Sequence, residues 1–381
     1  MALPRSRYVQ EGQEGVYHCF SRCVRRAFLY GFDALTRRDF SHRKIWLVDR
    51  LRYLAAIFAI DVCAYAIMQN HYHAILRTRP DIAARWSDRE VATRWLTLFP
   101  RRSMGRPPLP PAEEEISALA DRPDRIAMLR QRLCSLSWFM GRLNEFIARA
   151  ANHEDKVKGR FWEARFKCQA LLDGAAIAAC MVYVDLNPIR AGLAASPEES
   201  DFTSIQERIR AWLRQTIPTP SLPTEPAQDL RSGSFGTASR ASENADEFSN
   251  SILKHTPGTD NPLDDSALST CWLCPIPLDS QPRGILPMTT TEYFSLLDMS
   301  ARMSRSDKPG VIDPDLAPIL LRIGANPEAW PETVSCFGSK FRLAAGLLSS
   351  LRHFADQLGR RWLQGVAAAR VAFALSPPQF A

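Results

Sequence analysis

The sequence predicts an α+β domain occupying the front half of a longer chain, and three observations carry that expectation. Runs of strand composition stand at Gly15–Arg22 and from Val62 to Leu76. Stripes of apolar residues at helical spacing stand between and after them, from about 42 to 59, 133 to 151 and 174 to 186. Beyond about residue 195 the composition changes to Ser, Thr, Pro and Asp, and a helical pattern returns only near Thr290.

The first strand is read from Gly15-Val16-Tyr17-His18-Cys19-Phe20-Ser21-Arg22, a weak alternation bounded by turn residues. A basic loop with Arg25 and Arg26 follows. Ser41 is placed to cap a helix whose stripe is Leu47, Leu51, Leu54 and Phe58, at i, i+4, i+7 and i+11. The apolar run Val62–Leu76 comes next. From Arg79 to about Arg132 the pattern is lost among polar residues and the cluster Pro107-Pro108-Leu109-Pro110-Pro111, which predicts an insertion with one or two short helices and a flexible loop. Leu136, Phe139, Met140, Leu143, Phe146 and Ile147 mark the buried stripe of a second helix. Asp173 caps a third, with Ile177, Met181 and Val184 on its core face.

Composition limits the function classes. A chain of 381 residues has room for two or three domains. Its net charge of +7 is concentrated in residues 1–215, which hold 34 Lys and Arg against 24 Asp and Glu. That imbalance suits a polyanionic partner, with an evenly solvated surface as the alternative. Nine cysteines form no disulfide-like framework, and Cys271-Trp272-Leu273-Cys274 is a lone Cys-x-x-Cys for which zinc is not expected. No apolar run reaches the roughly 18 residues of a membrane span. The expectation is a reduced, cytoplasmic protein without a membrane partner.

Three stretches carry chemistry. In Met68-Gln69-Asn70-His71-Tyr72-His73, alternation along a strand puts His71 and His73 on one face and Tyr72 on the other. Two imidazoles so placed can share a metal ion, although for a bare His-x-His the plainer reading, two histidines on a half-exposed strand, is the favoured one. In Lys156–Lys167, Phe161, Trp162 and Phe166 interleave with Lys156, Lys158, Arg160, Arg165 and Lys167. This suits stacking on bases beside phosphate contacts, or an edge strand with snorkelling cations. In Tyr183-Val184-Asp185-Leu186-Asn187-Pro188, Tyr183 and Asn187 lie one helical turn apart, and Pro188 ends the helix near Asn187.

In this order these motifs, with Gly15-Val16-Tyr17-His18 and Tyr183–Gly192, resemble the single-tyrosine HUH transposases, and within them the REP-associated tyrosine transposases. The resemblance spans residues 15–195. It implies a ferredoxin-like antiparallel sheet with helices on one face and the histidine pair on a central strand. It further implies that His71, His73 and Asn187 hold a divalent ion, Mg²⁺ or Mn²⁺, and that Tyr183 is the nucleophile. Arg22, Arg25, Arg26, Lys158, Arg160, Trp162, Arg165, Lys167 and Arg190 are then the expected DNA contacts. The implied activity nicks and rejoins single-stranded or hairpin DNA through a 5′-phosphotyrosine, in a monomer or homodimer. The alternative is a domesticated protein that binds DNA hairpins without cutting.

The resemblance leaves three features aside: the insertion at about 79–132, Phe166 where many relatives carry Tyr, and everything after residue 195. Residues 1–195 are read as the catalytic domain, 196–289 as a Pro/Ser-rich linker and 290–381 as a helical module. Within that module Phe337, Phe341, Leu348, Leu351 and Leu358 form a stripe.

Overall fold

The computed structural model describes residues 4–24, 31–33, 37–101, 109–216, 272–276, 284–303, 320–321 and 324–373. Arg25, Arg26, Cys271 and most of the expected linker lie outside the described residues. The strands are β1 (Gly15–Arg22), β2 (Phe32–Asp33), β3 (Arg38–Asp39), β4 (Ile60–Met68), β5 (His71–Thr78), β6 (Lys167–Leu171) and β7 (Ala344–Ala345). Five of them form one sheet in the order β4-β5-β1-β6-β7, while β2 and β3 pair separately. Every pairing in the large sheet is antiparallel except β6 with β7.

The apolar run Val62–Leu76 thus divides into a hairpin, with the turn at Gln69 and Asn70. β4 reads as a nearly continuous apolar run because almost all of it is buried, which is the pattern of a strand covered on both sides.

Helices cover both faces of the sheet, which corrects the expectation of helices on one face. On one side lie α1 (Arg43–Ile57) and α6 (Leu136–Glu154). There the Tyr72 hydroxyl donates to Asn144 Oδ1 at 2.7 Å, and Asn144 Nδ2 donates to Ser21 Oγ at 3.1 Å. On the other side lies α7 (Gly174–Asp185), whose Tyr183 ring meets the rings of His18 and His73. The short α8 (Asn187–Arg190) follows it directly.

Local signals account for most of these boundaries. Asp173 caps α7 as expected, its side chain accepting from the Ala176 amide at 3.1 Å. Ser41 does not cap α1. Its amide and hydroxyl both bond Asp39 Oδ1, and His42 takes the cap position. The start of α1 is held instead by Arg43, 1% exposed, which reaches Glu154 at 2.6 Å and Asp155 at 2.5 Å at the end of α6.

Among its described residues the insertion holds more helix than the one or two short helices its composition predicts, and part of the expected loop, with Pro107 and Pro108, lies outside them. It contains α2 (Pro80–Arg85), α3 (Asp88–Leu98), α4 (Glu113–Ala120) and α5 (Pro123–Leu133). Proline opens α2 and α5, and Ser87 Oγ caps α3 by accepting from the Glu90 amide. Each helix buries only one to three side chains, such as Val91 and Leu98, Ile116, and Ile126 and Leu129. With so few apolar positions per helix, the 3.6-residue period is hard to see.

The C-terminal residues pack onto the same core. They include α9 (Ser204–Thr216), α10 (Thr290–Met303), α11 (Trp330–Ser335), α12 (Phe337–Lys340), α13 (Leu348–Gln357) and α14 (Val366–Ala372). Tyr293, Trp330, Phe337 and Phe341 belong to one buried cluster with Leu47 and Val62. The Cys274 amide donates to Val62 O at 2.8 Å, and Arg208 Nη2 bridges Cys63 O and Cys274 O. Covered by the sheet on one side and these helices on the other, α7 is apolar all round. Ala175 through Val182 and Val184 are all buried, not merely the Ile177–Met181–Val184 face.

Asp185 fastens the C-terminal helices to α7. Its carboxylate is fully buried, accepting from Ser204 Oγ and from the Tyr293 hydroxyl, each at 2.5 Å. Burial pushes its pKa up to about 6, while the two hydroxyls and nearby Arg208 favour the carboxylate. Replacing Tyr293 by Phe keeps the ring but leaves a carboxylate oxygen unsatisfied. Tyr293→Phe is expected to destabilise the fold by about 1–3 kcal/mol in urea unfolding. An unchanged midpoint would show that Asp185 does not depend on that donor.

Candidate active site

The register of three adjacent strands builds the floor of the site. β1 and β5 pair with Phe20 opposite His73 and Arg22 opposite His71, and β6 lies on the other side of β1 with Gln169 opposite His18. Alternation then puts His18, Phe20, His71 and His73 on one face. The His71 and His73 rings stand 5.0 Å apart, centre to centre, and nearly perpendicular at 82°. Phe20 packs on His73 at 5.7 Å. The expectation that both histidines share a face opposite Tyr72 therefore matches the structure.

Helix α7 lowers Tyr183 onto this floor. Its ring centre is 5.8 Å from His73 and 6.1 Å from His18, edge-on to both. α7 ends at Asp185, and Leu186, itself in αR backbone, links it to α8, which Asn187 opens with Pro188 in its first turn. Pro188 thus begins a new helical turn and does not end the helix at Asn187 as expected. This turn brings Asn187 close enough to the Tyr183 phenol to favour its ionised form, although the buried Asn187 Nδ2 completes no hydrogen bond. Arg190, one turn later on α8, stands over the Tyr183 ring at 5.4 Å. Its Nε, Nη1 and Nη2 are all buried and none has a hydrogen-bond partner among the described residues. Burial lowers its pKa.

Burial sets the charge state of the histidines. It lowers the His18 pKa to about 4. His71 also falls to about 4, through burial and then the nearby Arg22 cation. His73 drops further below its ordinary value, through burial, His18, His71 and Arg22. All three are neutral imidazoles at physiological pH, the form that can ligate a metal. His71 Nδ1 bonds Asn70 Oδ1 at 2.7 Å, leaving Nε2 as its lone-pair nitrogen. His73 Nδ1 bonds His18 Nε2 at 2.8 Å, and His73 Nε2 is buried without a partner. Among the described residues no three His, Cys, Asp or Glu side chains are arranged to hold an ion. A site here would draw on two imidazoles and an amide. His73 Nε2, buried with no hydrogen-bond partner among the described residues, is a nitrogen of the kind such a donor set uses, with His71 Nε2 and the Asn187 amide as the other candidates.

Burial raises the Tyr183 pKa, against the opposing influence of Asn187 and Arg190. From the C-terminal helices, Phe337 packs on its ring at 5.9 Å. Gly338 lies so close that a Cβ there would come within 2.9 Å of the phenol oxygen. Neither residue stood out in the sequence as part of a site, because nothing local links Phe337 to a helix more than 150 residues earlier. His18 and Gln169 were equally unmarked as site residues; only the register of β6 on β1 pairs them.

The expected DNA contacts divide. Arg22 is exposed and close enough to His71 to influence its titration. Lys167 is exposed, with its Nζ 5.7 Å above the Phe20 ring. Lys158, Arg160 and Arg165 are exposed on the loop before β6. Trp162 does not join the site. It is half-buried on the Tyr72 side of the sheet, its ring 5.7 Å from Tyr72 and its Nε1 donating to Asn144 O at 2.8 Å. Phe161 and Phe166 are buried, and Phe166 carries the Arg5 guanidinium 3.6 Å above its ring. The aromatics of this stretch therefore pack inward while its cations face out.

No protein-family profile and no curated protein matches the chain. Among solved structures, one described as a REP-associated tyrosine transposase bound to a REP hairpin is similar over 63% of this chain and 100% of its own, at 13% identity and a TM-score of 0.29. A likeness at that level decides neither fold nor function. No helix among the described residues is long and apolar enough to cross a membrane.

The buried neutral histidines make the fold acid-sensitive. Between their ordinary pKa near 6.5 and the depressed folded values, the unfolded chain binds protons that the folded chain excludes. Their contribution to stability is fully present above about pH 6.5 and is lost as pH falls toward 4. Urea midpoints at about pH 7.5 and pH 5 are expected to show a clear drop at the lower value. Equal midpoints would show that the cluster is not held neutral.

Proposed function

We propose that this protein is a DNA strand transferase that nicks and rejoins single-stranded or hairpin DNA through Tyr183. The observation that carries the reading is the grouping of a nucleophile-type side chain, an unpaired cation and two imidazoles with free lone pairs on one sheet face. A tyrosine beside a buried arginine with no hydrogen-bond partner among the described residues is suited to receive an anion. The four strands β4-β5-β1-β6 alternate in direction, and their order is that of a ferredoxin-like sheet, which supports the fold implied by the sequence resemblance.

In the proposed step, the Tyr183 oxygen attacks the scissile phosphorus and loses its proton. The bond from phosphorus to the upstream 3′-oxygen breaks, and that oxygen leaves to become a free 3′-hydroxyl. The 5′-phosphate stays on tyrosine, so a 3′-hydroxyl can later reverse the attack without an external energy source. Arg190 offers its N–H donors to the phosphate oxygens, where charge grows in the transition state. His71, His73 and Asn187 would hold a divalent ion, Mg²⁺ or Mn²⁺, which when bound polarises the phosphate. Arg22, Lys158, Arg160, Arg165 and Lys167 supply exposed charge for the flanking backbone.

One observation favours a second reading, a hairpin-binding protein that does not cut. Phe337 and Gly338 cover Tyr183, and an attacking oxygen needs a clear path to phosphorus. Covalent capture separates the two. With single-stranded DNA from the flanks of its own gene and Mn²⁺, the wild type is expected to form a protein band carrying label from the 3′ fragment. Tyr183→Phe barely changes volume and should abolish that band while DNA binding persists. A band that survives Tyr183→Phe names the wrong residue, and a wild type that never forms one favours the second reading.

Arg190 gives an independent check. Arg190→Met keeps most of the side-chain volume but removes an unpaired, largely buried cation. The free protein should keep or gain stability, since the guanidinium has no hydrogen-bond partner among the described residues and gives up only its contact with the Tyr183 ring, while cleavage falls by about 10²–10³-fold. Loss of stability with unchanged cleavage would make Arg190 a packing residue.

A further inference from the structure

We propose that His18, oriented by Gln169, is a positioning residue that fixes the His73 ring with its Nε2 lone pair turned toward the metal position. This rests on the metal-assisted reading above. The contacts run across three neighbouring strands. Gln169 Oε1 on β6 lies 3.4 Å from His18 Nδ1 on β1, and His18 Nε2 lies 2.8 Å from His73 Nδ1 on β5. The two rings are nearly parallel, 22° apart, with centres at 5.0 Å.

A neutral imidazole carries one N–H, and a carboxamide oxygen can only accept. With Oε1 facing it, His18 keeps its proton on Nδ1 and presents a lone pair at Nε2. That lone pair accepts from His73 Nδ1–H, and the remaining nitrogen of His73 is then a lone pair as well. It is this Nε2 that is buried without a partner. Ligation demands that state, because a nitrogen bearing hydrogen cannot bind a metal. His18 is excluded as a ligand itself, since its Nε2 is already engaged. Asn70 holds Nδ1–H of His71 in the same way. Each candidate ligand therefore has a neighbour that sets its tautomer, as outer partners of metal-bound histidines generally do.

The competing state is the reverse relay. If the Gln169 amide were turned, its Nε2 would donate to His18 Nδ1, His18 Nε2–H would donate to His73 Nδ1, and an N–H of His73 would face the site. Among the described residues Gln169 Nε2 is buried without a partner in this arrangement, so none of them anchors the amide either way.

Two measurements on the full-length protein decide between these. Long-range ¹H–¹⁵N correlations in the metal-free wild type are expected to show His18 and His73 both protonated at Nδ1. A His73 proton on Nε2 overturns the proposal whatever the metal result. Electron paramagnetic resonance titration with Mn²⁺ then reads affinity directly. His18→Leu is expected to bind about 10–100-fold more weakly. His18→Gln, whose carbonyl can accept from His73 Nδ1–H, should recover most of that loss. Wild-type affinity in a folded His18→Leu variant overturns the proposal, as does a His18→Gln variant that falls as far as His18→Leu. A wild type that binds no Mn²⁺ overturns the metal-assisted reading instead, and the tautomer measurement still judges the relay.

Discussion

The arrangement depends on α7 being packed on every side. One surface of this helix lies on the sheet and the other under α10, α11 and α12, so it cannot move without disturbing both layers. Its first turn is fixed by Asp173, which accepts from the Ala176 amide in α7 and, with its second oxygen, from the Leu347 amide beyond β7. Its last turn is fixed by Asp185, bonded to Ser204 and Tyr293. A carboxylate at each end thus ties the helix to the C-terminal residues, and Tyr183 is carried between these two fastenings.

Within the site, neutrality and charge are divided between elements. The sheet contributes imidazoles that burial keeps uncharged, and α8 contributes a guanidinium that burial leaves without a partner. Both choices cost stability in the free protein: the histidines resist protonation, and the arginine lacks hydrogen bonds. Arg43 shows what this chain does with a buried cation whose role is structural, surrounding it with Glu154 and Asp155. Arg190, by contrast, has no hydrogen-bond partner among the described residues. Phe337 and Gly338 add a cover over the Tyr183 ring.

Legibility followed the range of the forces involved. Strand alternation placed His71 and His73 together and Tyr72 apart, because two-residue periodicity is a local property of extended backbone. The Asp173 cap and the Tyr183–Asn187 spacing were legible for the same reason. The reading of Ser41 as a cap failed because Asp39 competes for its hydroxyl at shorter range. Trp162 was misjudged because composition shows that aromatics and cations alternate, but not which of them finds a partner such as Asn144.

By itself the sequence determined the β1, β4–β5 and α7 segments, the shared face of the histidine pair and the concentration of positive charge in its first 215 residues. Each of these is set by side-chain pattern over a few residues. Tertiary structure alone decided that α7 crosses the sheet over His18 and His73, that Gln169 stands behind His18, that Arg190 is left unpaired and that residues 337–338 close over Tyr183. Those are contacts between segments up to more than 150 residues apart, fixed by which surfaces exclude water together. No local periodicity records such a choice.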